Sequence, residues 1–210
     1  ITGDTESYDD AVFSNIINKR RIDLIERVLQ DPRPKMILDY GCGGGWLSSW
    51  LLKLGFDVVG IDASLRMVKD ANFMCPQADF VVCDAEKLPF RSAAFDCVVG
   101  ISILHHLSSL EQSLEDLRRV LINRSKFIFM EPNMLNPISA VGMRFFPTAR
   151  AAHTEEEKQF TPENLRTTLN LAGFNIETYT ALFFLAFPVS RLFKIARIQP
   201  RSSVTKLISL

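Results

Sequence analysis

The stretch Met36-Ile-Leu-Asp-Tyr-Gly-Cys-Gly-Gly-Gly-Trp46 decides the fold of this chain. It begins as an apolar run containing Asp39, continues through four glycines in five positions and leads into a helix-like segment. The pattern predicts a strand, a glycine turn and a helix N-terminus, where backbone N–H groups and the helix dipole face a ligand. The alternative is a tight turn of an α/β domain that binds nothing.

The residues of this turn favour an amino-acid-bearing nucleotide over a dinucleotide. A Gly-x-Gly-x-x-Gly fingerprint requires glycine or alanine at position 46, where its small size lets helix and strand pack closely, and this chain has Trp46. The charge of Asp39 would repel a pyrophosphate, whereas it would attract a ligand that carries an ammonium group.

Two later apolar runs also end in an acid. Asp57-Val-Val-Gly-Ile-Asp62 ends 23 residues after Asp39, near the interval at which α/β nucleotide folds carry a ribose-binding carboxylate, so we predict that Asp62 binds a ribose. Phe80-Val-Val-Cys-Asp84 ends in the third acid. Any one of these acids could be a helix cap or a turn residue. Because parallel strands direct their carboxyl ends into one crevice, we expect all three to converge there.

Composition indicates one α/β domain. The chain has 210 residues, enough for a single sizeable core, and apolar runs alternate with helical patterns, which predicts βαβ units and a parallel sheet. Net charge is zero, with 24 basic and 24 acidic residues, so nucleic acid is not expected as a partner. Helices are predicted over 7–30, 46–54, 64–74, 109–121 and 162–172, a fifth strand over 126–131 and a sixth over 174–179.

The cysteines and the start of the chain bear on its compartment. The four cysteines show no paired spacing, so we expect small buried thiols in a reducing compartment and no zinc or other metal site. The first residue is Ile and no apolar signal segment follows, so we expect a trimmed chain that is not exported and a cytoplasmic location.

The four segments Leu38-Asp-Tyr-Gly-Cys-Gly-Gly-Gly45, Val59-Gly-Ile-Asp-Ala-Ser64, Cys83-Asp-Ala-Glu-Lys-Leu-Pro-Phe90 and Phe95-Asp-Cys-Val-Val99 follow one another in that order. Over roughly residues 36–180 the chain resembles the class I S-adenosylmethionine-dependent methyltransferases. Within that family it is most similar to the small-molecule branch that includes ubiquinone- and menaquinone-type methyltransferases. The resemblance implies a Rossmann-like, doubly wound and mostly parallel sheet, with helices on both faces and strand order 3-2-1-4-5-7-6.

The resemblance also implies S-adenosylmethionine as the cofactor and methyl transfer, by in-line displacement, to a small and hydrophobic O, C or N acceptor. The backbone at Gly41, Cys42 and Gly43 would approach the methionine part, with Asp39 near its ammonium group. Asp62 would accept hydrogen bonds from both ribose hydroxyls. The full set of implied cofactor-binding residues is Asp39, Tyr40, Gly41, Cys42, Gly43, Asp62, Ala63, Met67, Asp84, Ala85 and Ser102.

The remaining members of this set have roles that the resemblance also supplies. Asp84 would accept a hydrogen bond from the adenine amine, and the Ala85 N–H would donate to the adenine ring. Ala63 and Met67 would flank the adenine. Ser102, at the end of the fourth strand, would lie beside the methionine portion.

Methyl transfer needs little beyond an oriented nucleophile, the exclusion of water and, for a hydroxyl acceptor, a general base. The candidate bases are His105 and His106 after the fourth strand, Glu131 after the fifth, and His153. The alternatives are a core histidine for each of the His pair, a turn cap for Glu131 and a surface residue for His153.

We expect one domain over 1–210, comprising an N-terminal helical lid segment at 1–35, a cofactor-binding half at 36–131, a substrate-side insert at 132–160 and a C-terminal part at 161–210. Tyr8 and Phe13 are candidate lid residues. The long connection at 132–160 is typical of a binding loop. Three cations at intervals of three in 181–198 suggest peripheral membrane contact, and packing on the domain itself is the favoured alternative.

Two other functions remain open from the residues. One is an NAD(P)-dependent oxidoreductase, which Trp46 and Asp39 disfavour. The other is a catalytically silent partner protein that retains the nucleotide pocket. The apolar character of 132–160 and 181–198 suggests a lipid-like substrate for the favoured methyltransferase.

Overall fold

The computed structural model describes residues 8–31, 33–131 and 161–178, and side chains within them except those of 8–17 and Pro162. The chain separates into two compact units. One comprises Ile1–Asp31, Asn133–Thr154 and Thr178–Leu210, and the other comprises Pro32–Pro132 and Glu155–Glu177. The predicted single domain and its four segments stay a prediction.

The described part of the first unit is helix α1, Tyr8–Leu29, which confirms the helix predicted at 7–30. Ile25 and Leu29 are buried and lie four residues apart on one face of the helix. Lys19 and Asp23 form an exposed ion pair at 3.4 Å with the same spacing.

The second unit is built on five parallel strands. In chain order they are β1 Met36–Tyr40, β2 Asp57–Asp62, β3 Asp79–Val82, β4 Phe95–Ile101 and β5 Leu121–Met130. Their spatial order is β3-β2-β1-β4-β5. The α/β class, the parallel sheet and the first five positions of the predicted strand order are therefore confirmed.

Four helices accompany this sheet: α2 Trp46–Lys53, α3 Leu65–Met74, α4 Leu110–Val120 and α5 Pro162–Leu171. Side-chain caps begin three of them, because Ser64, Ser109 and Thr161 each accept a backbone N–H from the first turn. The N-cap of α2 is Gly45, which has no side chain to serve in this way.

Alternation along β1 directs neighbouring side chains to opposite faces of the sheet. Asp39 contacts Ser48 of α2, whereas Leu38 and Tyr40 belong to the apolar cluster that contains Leu114 of α4. Helices thus cover both faces of β1.

Two strands differ from their predicted limits. β3 ends at Val82, so Cys83 and Asp84 lie in the turn that follows it. β5 begins at Leu121 instead of 126, because Leu121 pairs with Phe95 while Lys126 pairs with Cys97. Residues 122–125 therefore oppose Asp96 alone and form a bulge.

The sixth strand predicted at 174–179 is wrong over the described residues 174–178, which form no strand. Phe174 and Ile176 do pack against the core cluster, and Asn175 and Glu177 are exposed, so the period of two is present. A strand also requires a hydrogen-bonded neighbour. None of the strands in the described ranges pairs with this segment.

Gly45→Ala should destabilise the protein by about 2 kcal/mol, because Gly45 has φ +82° and an added Cβ would lie 3.0 Å from the Cα of Ala71. Gly44→Ala is the matched control, since a Cβ there would meet nothing within 4 Å. Urea denaturation of both variants and the parent chain tests this. Equal losses of stability in the two variants would contradict the packing argument.

Candidate functional site

Asp62, at the end of β2, holds the glycine turn that follows β1. One carboxylate oxygen accepts the Gly43 N–H and the other accepts the Ser64 N–H, each at 2.9 Å. The Gly41 and Cys42 N–H groups both donate to the Ile61 carbonyl, at 3.0 and 2.8 Å. Because each carboxylate oxygen can accept more than one hydrogen bond, Asp62 keeps acceptor capacity for a ligand beside the turn.

The glycine turn is packed on one side and open on the other. A Cβ at Gly41 would lie 2.9 Å from Ile103, which belongs to the segment after β4. A Cβ at Gly43 or Gly44 would meet no atom within 4 Å. The open side lets a ligand approach the backbone closely, which a side chain at either position would prevent.

Asp39 is buried next to the start of α2, with 1% of its surface exposed. It accepts a hydrogen bond from the Ser48 hydroxyl. Burial raises the pKa of Asp39, hydrogen bonds from the Ser48 side chain and backbone lower it, and the nearby Asp62 carboxylate raises it, with a net pKa of about 7. Within the described ranges no lysine or arginine pairs with Asp39.

Ser48 was missed by the sequence analysis. It is the third residue of α2, a position whose backbone N–H has no partner within the helix. Since Gly45 offers no capping side chain, Asp39 supplies the acceptor from β1 instead. A helix start without a capping residue, close behind a buried acid, is the signal that could have indicated this pair.

Asp84 and Ala85 lie in the turn after β3, on the same edge of the sheet as Asp62. Burial, Asp84 and Asp62 all raise the pKa of the Cys83 thiol, and together they bring it to about 11. Asp84 is exposed, and its side chain accepts the Glu86 N–H at 2.9 Å. The structure therefore brings the three acids to one edge of the sheet but exposes them to very different degrees.

The two residues predicted to flank an adenine lie just after Asp62. Ala63 is exposed and Met67, in the first turn of α3, is 41% exposed. The Met67 N–H donates to the Ser64 hydroxyl at 3.4 Å, so the helix cap sets its position.

Tyr40 and Cys42, both predicted to belong to the cofactor site, point their side chains into the protein. Tyr40 is fully buried, and its hydroxyl donates to the Ala85 carbonyl at 2.7 Å. Cys42 is 4% exposed, and burial raises the pKa of its thiol, so it is no nucleophile at neutral pH. Through their side chains both residues shape the loops, and only their backbone adjoins the open side of the turn.

Ser102, after β4, adopts φ +55°, which is unusual for a residue with a side chain. Its N–H donates to the Met130 carbonyl at 2.8 Å. The next two N–H groups, of Ile103 and Leu104, both donate to one oxygen of Glu131, at 3.0 and 2.9 Å. Backbone strain persists where the surroundings enforce it, and Glu131 supplies that constraint here.

His105 contacts the second oxygen of Glu131, with 2.6 Å between Nδ1 and Oε2. The side chain of Glu131 is 5% exposed and its two oxygens accept three hydrogen bonds, so it is not a free base. No buried polar side-chain atom in the described ranges lacks a hydrogen-bond partner. His105 itself is buried, with 10% of its side chain exposed. His106 is exposed, and its ring centroid lies 4.0 Å from that of His105.

Several predicted features lie outside the described residues. These are His153, the insert at 132–160, the basic segment at 181–198 and the side chains of Tyr8 and Phe13. Within 8–31, 33–131 and 161–178, no group of His, Cys, Asp or Glu could hold a metal ion. Cys42, Cys75 and Cys97 are buried and Cys83 is half-buried, and all four are free thiols.

Comparison with known proteins now bears on this site. A family profile described as a methyltransferase domain matches residues 38–129, from β1 to β5. An uncharacterised methyltransferase of Synechocystis is 31% identical over 159 residues, which cover 72% of each chain. The chain belongs to the methyltransferase domain family. The match includes the glycine turn, Asp62, Asp84 and the segment after β4.

Two further similarities refine the family assignment. The mitochondrial ubiquinone biosynthesis O-methyltransferase of Mus musculus is 31% identical over 164 residues, 72% of this chain and 44% of that protein. The chain thus spans less than half the length of this mammalian relative. A SAM-dependent methyltransferase structure from Methanosarcina mazei matches with a TM-score of 0.60 and 23% identity, over 69% of this chain and 81% of that one, which supports the shared fold.

Replacing Asp39 with asparagine should change how stability depends on pH. The folded pKa of about 7 lies above the ordinary value of 3.8, so Asp39 favours folding at low pH and this contribution is lost as pH rises towards 7. Asp39→Asn should lack this loss, which amounts to about 3 kcal/mol between pH 4 and pH 8. Denaturation of both proteins at several pH values, without added ligand, measures the difference. Parallel profiles would contradict it.

Proposed function

We propose that this chain is an S-adenosylmethionine-dependent methyltransferase that acts on a small hydrophobic acceptor, with a hydroxyl favoured over a carbon or nitrogen atom. The observation that carries the proposal is the bridge from Asp62 to Gly43, which places a carboxylate with spare acceptor capacity beside an open glycine turn. Membership of the methyltransferase family supports the same conclusion.

The residues of the site fit this cofactor. Asp62 would bind the ribose hydroxyls, and the open backbone at Gly43 and Gly44 would receive the amino-acid part. Asp39 is a buried carboxylate whose pKa is raised by burial and by Asp62, so a cationic ligand nearby would favour its charged form. Asp84 and the exposed Met67 would take the adenine.

When bound, the cofactor supplies a methyl group activated by a sulfonium leaving group. The protein then has to orient the acceptor, exclude water and, for a hydroxyl, accept a proton. We assign the base to His105, whose Nδ1 lies 2.6 Å from Glu131 Oε2, and the positioning role to Glu131. Glu131 holds the proton of His105 on Nδ1, which leaves Nε2 as the acceptor.

The acceptor class is proposed from the relatives and from the sequence. The Mus musculus relative is named an O-methyltransferase of ubiquinone biosynthesis, which suggests a phenolic hydroxyl with an apolar tail. The insert at 132–160 is the predicted substrate segment. Neither alternative, a nicotinamide-dependent oxidoreductase or a silent partner protein, is supported by the relatives.

Location and membrane contact stay predictions. We retain the cytoplasmic location and the peripheral membrane contact through 181–198 as proposals about this chain. A bilayer-spanning helix is not found among the helices that the structure describes.

Asp62→Asn should weaken binding of S-adenosylhomocysteine at least tenfold, because the variant replaces a charged acceptor by an amide with one acceptor oxygen. Asp57→Asn, at the exposed opposite end of β2, is the matched control and should bind normally. Isothermal titration calorimetry measures both affinities. An unaltered affinity in Asp62→Asn would refute the ribose assignment.

His105→Ala should lower turnover about a hundredfold while leaving affinity for S-adenosylhomocysteine within about twofold, because a general base acts only on the chemical step. The contact with Glu131 is made by His105 and not by His106, so His106→Ala should lower turnover less than about threefold. Turnover is followed as S-adenosylhomocysteine release with alkyl-substituted catechols, alkyl anilines and fatty acids as acceptors. A larger loss in His106→Ala would reverse the assignment.

A further inference from the structure

Tyr40 links the glycine turn after β1 with the turn after β3. It is the last residue of β1, directly before the glycine turn, and its side chain leaves the sheet on the face opposite to Asp39. It is fully buried in the core cluster, between Leu38 of its own strand and residues of α4. A phenol hydroxyl in such surroundings requires a hydrogen-bond partner.

The partner of the Tyr40 hydroxyl is the turn after β3. The hydroxyl donates to the Ala85 carbonyl at 2.7 Å. Burial raises the pKa of the Tyr40 phenol, so the group stays protonated and remains a donor. Tyr40 thus connects the end of β1 to a residue 45 positions later in the chain.

Other bonds fix the rest of the same turn. Asp84 accepts the Glu86 N–H through its side chain and the Lys87 N–H through its carbonyl, at 2.9 and 3.1 Å. The Glu86 carboxylate accepts the N–H groups of Ser108 and Ser109, ahead of α4. Ala85 lies between these two anchors, and in the described structure its carbonyl is held by Tyr40.

We propose that Tyr40 is a specificity-determining positioning residue, which holds Ala85 so that Asp84 and the Ala85 N–H select a 6-aminopurine over a 6-oxopurine. The inference rests on the proposed function, because it assigns the adenine contacts to these two residues. A 6-amino group donates to a carboxylate, and the neighbouring ring nitrogen accepts from an N–H. A 6-oxopurine presents an acceptor and a donor at those two atoms, so it loses both contacts.

The test compares S-adenosylhomocysteine with S-inosylhomocysteine in the parent chain and in Tyr40→Phe, by isothermal titration calorimetry. The parent chain should prefer the adenine ligand. Tyr40→Phe should bind the adenine ligand about fivefold more weakly and the hypoxanthine ligand with little change, because only the adenine contacts depend on the position of Ala85. The ratio of the two affinities should therefore fall about fivefold.

One control variant makes the result decisive. Ser48→Ala removes a hydroxyl on the opposite face of β1, and it should change both affinities by the same factor. Thermal melting confirms folding in each case.

An equal loss for both ligands in Tyr40→Phe, or no loss for either, would overturn the specificity role. If the parent chain binds neither ligand, the proposed function fails, and the inference fails with it. If the parent chain binds both ligands equally, the proposed function stands while the adenine contacts and the role of Tyr40 do not.

Discussion

The carboxylate of Asp62 is the contact on which the site depends. It joins the end of β2 to the glycine turn after β1 and to the start of α3, through one N–H bond on each oxygen. Parallel pairing makes this possible, because β1 and β2 run in register and finish at the same edge of the sheet. With both loops held, the turn can keep one side open without collapsing onto its neighbour.

The buried acids on this edge behave differently because their surroundings differ. Asp39 is enclosed behind α2, where burial raises its pKa and the Ser48 hydroxyl and backbone partly offset that cost. Glu131 is almost as buried, yet three donors from consecutive residues after β4 satisfy it. In the described residues Asp39 has no cationic partner, whereas the hydrogen bonds of Glu131 are satisfied within the protein. We therefore assign ligand binding to Asp39 and positioning to Glu131.

Particular residues show how far the sequence analysis reached. The glycine turn, the positions of Asp62 and Asp84, the parallel sheet and the limits of α2 and α3 follow from apolar periodicity and from the residues that begin and end each element. The spatial order of the strands was predicted only from the resemblance to the methyltransferase family. The prediction of a strand after α5 was wrong over 174–178. Its alternating pattern reflects only which side chains are buried, whereas a strand also needs a neighbouring strand to pair with.

The sequence by itself determined where the strands lie along the chain and which residues stand at their carboxyl ends, because both depend on local patterns of two or four residues. Only the tertiary structure decided how those residues are used: the Tyr40 hydroxyl bonds to Ala85, Ile103 packs on Gly41, and Glu131 accepts N–H groups from the segment after β4. These contacts join residues from 27 to 62 positions apart. A local sequence pattern cannot predict contacts between residues so far apart in the chain, because these contacts depend on how neighbouring strands pair and how their loops pack.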